Sequence, residues 1–174
     1  MVDKLYHYYE YRIGPFVNLS DLPAEEAERI QAHIKKVGAV FASKRNEDYI
    51  TVRRGLEDKI RRLFISKGGK PIRQRPHYMT LGPCPWLLEW YVDGRELCIP
   101  LSAFDKSVIS FTYGDTFPAM RYKDGKPYRG VVYTLDEIAD VISNFGLPQE
   151  WNSDGSKGPD RYIEAQIWTN DFSY

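Results

Sequence analysis

The chain has 174 residues, 43% hydrophobic and 28% charged, and a formal net charge of +0. That suits one globular domain with a sizeable core. No apolar run reaches membrane-spanning length, and the opening MVDKLYHYYEYR holds no apolar secretory segment. A cytoplasmic chain is therefore expected, without membrane contact and with Cys84 and Cys98 as free thiols.

The first expected strand covers 4–9. A helix follows, with Ser20 or Asp21 as its cap, Pro23 in its first turn and a stripe of Ala27, Ile30, Ile34 and Val37 before a stop at Gly38. A second helix is predicted after a cap at Asn46. Tyr49, Val52, Leu56, Ile60 and Leu63 fall on one of its faces, with basic residues on the others, and Gly68-Gly69 ends it.

Residues 77–81 form the next expected strand, and Gly82-Pro83-Cys84-Pro85 breaks it. Trp86 to Tyr91 reads as a short helix closed by Asp93-Gly94. Strands are expected at 96–101, 107–113 and 131–134. Thr134 and Glu137 then form a capping box for a helix with Ile138, Val141, Ile142 and Phe145 inward and Gly146 past its end. Residues 111–120 and 146–155 read as aromatic, turn-rich loops of the kind that rim pockets. A long loop spans 147–160, and the last strand covers 161–168. Helices gather in the N-terminal half and short strands follow without βαβ alternation. The expected class is α+β, with mixed or antiparallel strands.

Neutrality hides an asymmetry. Residues 53–75 hold nine basic side chains against Glu57 and Asp58, while 134–174 hold eight acids against Lys157 and Arg161. Arg53, Arg54, Arg61, Arg62, Lys67 and Lys70 are candidate contacts to a nucleic-acid backbone, with aromatics stacking bases. A solvated helix face is the other reading of the same residues. His7, His33, His77 and the cysteines show no metal-binding spacing, so no metal site is expected. Neither GxGxxG, nor GxxxxGK[ST], nor GxSxG occurs.

Three windows stand out: LYHYY at 5–9, PHYMTLGPCPWLLEWY at 76–91 and RYIEAQIW at 161–168. Their order resembles the ADP-ribosyltransferase superfold, in particular its RNA 2′-phosphotransferase and DNA-modifying toxin branch. The chain also resembles a bacterial family. The superfold resemblance implies an NAD-dependent ADP-ribosyltransferase acting on an acceptor the sequence does not name. Glu164 would be the catalytic carboxylate. His7 would bond a ribose hydroxyl, Tyr78 with Trp90 or Tyr91 would hold the nicotinamide, and Thr80 would add a hydroxyl. Tyr8-Tyr9 are bulkier than that pattern usually has, and Gln166 stands where some transferases place a second acid. The alternation in RYIEAQIW fits a solvent-facing Glu164 equally well. A non-enzymatic interaction or nucleic-acid-binding domain using the basic 53–75 face is the alternative.

Overall fold

The computed structural model describes residues 2–37, 46 and 48–174. They form an α+β structure on one six-stranded sheet whose ladders are all antiparallel. The strands are β1 (Lys4–Glu10), β2 (His77–Leu81), β3 (Gly94–Pro100), β4 (Ile109–Tyr113), β5 (Tyr133–Thr134) and β6 (Ile163–Ile167), in the order β3-β1-β2-β6-β4-β5. The helices are α1 (Ala24–Val37), α2 (Tyr49–Ser66), α3 (Thr116–Arg121), α4 (Leu135–Phe145) and α5 (Pro148–Trp151). The two longest, α1 and α2, lie in the N-terminal half, as the sequence suggests. No helix among the described residues is long and apolar enough to cross a membrane.

Alternation along β4 and β6 sends successive side chains to opposite faces. Ile109, Phe111, Ile163, Ala165 and Ile167 meet Ile138 and Val141 of α4 on one face. On the other, Leu56, Ile60 and Phe64 of α2 pack with Ala119 and Met120 of α3 and with Trp168. Both faces of β4 and β6 are thus covered, and every residue of both strands is buried.

One junction departs from continuous pairing. β1 and β2 pair through Leu5↔Leu81 and Tyr6↔Thr80, and Gly82 N–H reaches Lys4 O at 3.0 Å. Beyond that point β1 stays with β3 as far as Glu10↔Gly94, while β2 follows β6 to His77↔Ile167. The two strands part, and a side chain takes over from the ladder. His7 Nδ1 donates to Tyr78 O at 2.9 Å.

Several local expectations need correction. Ser20 and Asp21 do not cap α1; they sit in a 3₁₀ turn (Leu19–Asp21), where Ser20 donates to Glu57 and Asp21 accepts from Arg73. Asn46 does not cap α2 by its side chain. Asp48 is the N-cap, and the Asn46 carbonyl accepts from Tyr49 N–H and from Gln31. Gly38 lies outside the described residues, as do the side chains of Ile34 and Val37. The buried face of α2 also takes in Glu57 and Phe64, so it is broader than the expected stripe. Residues 116–120 of the expected 111–120 loop are helical, within α3. Asp115 caps α3 by accepting from Phe117 N–H at 2.7 Å, and Pro118 sits in the first turn, where no amide is needed. The segment 85–90 is a 3₁₀ turn, and the Thr134–Glu137 capping box forms as read.

Ile60 is fully buried between α2 and the sheet. Ile60→Ala should cost about 2–5 kcal/mol in urea unfolding, the range for a core aliphatic truncated without collapse. A loss under about 0.5 kcal/mol would mean that α2 is peripheral to the fold.

Candidate functional site

A cavity of about 300 Å³ opens on the α2 side of the sheet, where β1 and β2 part. His7, Tyr78, Thr80, Trp90, Tyr91 and Glu164 all line it. Residues from three windows of the sequence therefore share one space. What each can do there differs from the expectation in several cases.

His7 lines the cavity with no ring nitrogen to spare. Tyr78 O can only accept, so Nδ1 carries the proton. Phe16 N–H can only donate, so Nε2 accepts it at 2.9 Å. The ring also stacks on Phe16 at 4.2 Å. Burial lowers its pKa to about 4, so it is neutral at ordinary pH. The role of binding a ribose hydroxyl is corrected: His7 joins the strands and the 11–18 segment to each other.

Tyr78 donates its hydroxyl proton to Glu57 Oε1 at 3.0 Å. Burial, then the charge of Glu57, pushes the phenol well above its ordinary value. The Arg53 guanidinium lies 4.8 Å from its ring centroid. Thr80 donates to Gly82 O at 2.7 Å, so its hydroxyl proton is already used.

Glu57 is fully buried on α2. Its Oε1 accepts from Ser20, from Arg53 at 2.9 Å and from Tyr78, and its Oε2 faces Arg75 at 3.6 Å. A buried carboxylate survives only with such partners. Arg53 is thereby held at the cavity wall. Its Nε bonds Glu57 and its Nη1 donates to the Tyr49 hydroxyl at 3.2 Å. No bond among the described residues is made by Nη2.

The surface role of the basic segment is corrected with it. Arg53 is a pocket residue, its side chain 13% exposed. Arg54 donates to Leu22 O, Arg61 to Pro71 O and Arg73 O, and Lys67 pairs with Glu137. Arg62, Lys67 and Lys70 remain exposed.

Glu164 is only 6% exposed, so the solvent-facing alternative fails. The cause is lateral: β6 is an inner strand, roofed by α2 and α3. Glu164 Oε1 accepts from the Thr116 amide at 3.2 Å, from the Thr116 hydroxyl and from Gln166 Nε2 at 3.3 Å. Oε2 takes no bond among the described residues. Burial first, then the charge of Asp115, raises its pKa to about 8. Gln166, fully buried, links Glu164 to Thr112 and Ser110 on β4.

Asp115 and Thr116 are site residues that sequence reasoning did not single out. Both line the cavity, and Asp115 accepts from the Tyr162 hydroxyl at 3.0 Å. The Gly114-Asp115 dipeptide reads as a turn, and nothing in the sequence says which strand that turn will face. Arg53 and Glu57 did carry a signal, their i,i+4 spacing on a helix. Cys84 is buried, and burial raises its thiol to about 12, so a nucleophilic role has no support.

Two stability outcomes follow. Glu57→Ala strands Arg53 and Arg75 beside a void and should cost about 3–5 kcal/mol. Glu164→Gln should do the reverse. In the native protein Glu164 stays protonated up to about pH 8, whereas an unfolded carboxyl ionises near pH 4. Native stability therefore falls as pH rises from about 4 to 8, and the Gln variant escapes that fall. Thermal melts should show the variant equal to native at pH 4 and more stable at pH 9 by more than about 1.4 kcal/mol, the worth of one pKa unit. Equal melts at both pH values would show that the buried carboxyl carries no such cost.

Comparison with protein-family models, with curated proteins and with solved structures found no match to this chain.

Proposed function

We propose that the cavity binds NAD or a closely related nucleotide, and that the chain transfers ADP-ribose from it to an acceptor. One observation carries this reading. Tyr78 and Thr80 of β2, Trp90 and Tyr91 of the following turn and Glu164 of β6 meet in a single aromatic-lined cavity. Its volume is at the lower end of small-ligand pockets. Aromatic walls suit a flat ring, and Arg53 offers a guanidinium edge for a phosphate oxygen.

The reaction asks most of Glu164. The bond between nicotinamide and the ribose breaks, its electron pair leaves with nicotinamide, and positive charge builds on the anomeric carbon. An ionised Glu164 beside that carbon stabilises the charge. The acceptor's nucleophilic atom then bonds the anomeric carbon, and its proton passes to Glu164. A carboxyl held near pH 8 suits that proton. Thr116 and Gln166 fix the carboxyl through Oε1 and leave Oε2 to act. His7 has no chemical part and bridges the parted strands.

Calorimetry with NAD, followed by a nicotinamide-release assay, tests the reading. Only ionised Glu164 serves, so kcat/KM should climb with pH and level off above about 8. Glu164→Gln should still bind NAD, at reduced affinity, and lose about a hundredfold or more in turnover, with a flat pH profile. No NAD binding at millimolar concentration would overturn the proposal, as would full turnover by the Gln variant.

A further inference from the structure

The cavity is charged unevenly, and the unevenness bears on which ligands it takes. At one side Arg53 is answered by Glu57 at 2.9 Å, so that end is close to neutral while still presenting donors. Two carboxyls, Asp115 and Glu164, also line the wall, and neither has an ion pair among the described residues. Asp115 takes the Phe117 amide and the Tyr162 hydroxyl. Glu164 takes its donors on Oε1 alone, and Oε2, on a side chain more than nine-tenths buried, is left without a partner in the cavity wall. Aromatic rings stand close by. Tyr162 is in direct contact with Asp115, and Phe117 stacks on Tyr49 at 5.2 Å with its ring nearly parallel.

We infer that the Asp115–Glu164 side of the cavity is a subsite for a flat organic cation, such as a pyridinium ring, and that it prefers the cationic ring over its neutral counterpart. Carboxylates and aromatic faces both attract a cation, and both act more strongly where water is excluded. A neutral ring of the same shape gains only the stacking. The inference deepens the nucleotide reading and rests on it for the identity of the ligand. Under that reading the site favours oxidised NAD, whose nicotinamide is cationic, over reduced NAD, whose ring is neutral.

Binding should be linked to protons. The ionisable groups facing Glu164 are Asp115 ahead of α3, Arg53 on α2, Tyr78 on β2 and Tyr162 ahead of β6. Both phenols are held protonated, by burial first and then by Glu57 or Asp115 respectively. Asp115 disfavours the Glu164 carboxylate and Arg53 favours it. A bound cation favours it further, so binding below about pH 8 releases a proton. Affinity should therefore rise with pH and level off above 8.

The test uses the full chain and two small probes, 1-methylnicotinamide as the cation and nicotinamide as the neutral ring. Calorimetry at pH 9 should show the cation binding at least tenfold tighter, and at pH 6 that preference should shrink. Glu164→Gln should reduce it to below about threefold at pH 9, with nicotinamide binding kept as the sign that the cavity is intact. Asp115→Asn should weaken the preference as well, since Asn still caps α3. Equal affinity for the two rings at pH 9, or binding of neither, overturns the inference. A charge preference without NAD binding supports the cation subsite and overturns the nucleotide reading. NAD binding without a charge preference does the opposite.

Discussion

The ring of His7 is the contact on which the rest of the site depends. Two antiparallel strands that part leave unpaired amides and carbonyls, and buried ones are costly. His7 answers both sides at once: it gives a proton to Tyr78 O and takes one from Phe16 N–H. Only a neutral imidazole can donate and accept in this way, which agrees with a pKa lowered to about 4. Phe16 is held at φ 61, a conformation that non-glycine residues rarely adopt, and its stacking on His7 helps to hold it there. The gap thus stays open without exposing the backbone, and the cavity occupies it.

Glu57 plays the corresponding part on the helical side. A carboxylate in the core needs several partners, and it draws them from separate stretches of chain: donors from Ser20, Arg53 and Tyr78, and an ion pair with Arg75. That convergence fixes α2 against β2 and sets the position of Arg53. It also explains where the basic segment goes. Much of its charge is spent on carbonyls and acids within the fold, so a count of lysines and arginines overstates the charge offered to a partner.

The sequence made some of this legible. Hydrophobic period marked α2 and α4, and alternation marked β1, β2 and β6, because these patterns follow from local geometry. His7, Tyr78, Thr80, Trp90, Tyr91 and Glu164 could be named because each lies in or beside an element with a readable pattern. Their directions could not. Whether the Tyr78 hydroxyl faces a ligand or Glu57 depends on a helix that precedes it by some twenty residues. Asp115 and Thr116 stayed hidden for a related reason. A turn dipeptide has no period, and only the pairing of β4 with β6 brings it to Glu164. The burial of Glu164 was equally non-local, since alternation tells which face a side chain takes but not whether that face is roofed.

Two fully or nearly buried acids of this fold are treated differently. Asp115 and Glu164 lie close enough for Asp115 to raise the Glu164 pKa, and neither makes an ion pair among the described residues. Elsewhere the same chain solves such problems. Asp160, also fully buried, is satisfied by a bidentate Arg129, by Lys126 and by Tyr128. The partners that Glu164 lacks are therefore not beyond what this fold can supply. A group in a core gains stability from being neutralised internally, and a group kept for a ligand gains function from being left incomplete. The contrast between Asp160 and Glu164, two buried acids within five positions of each other, puts the incomplete one in the cavity wall.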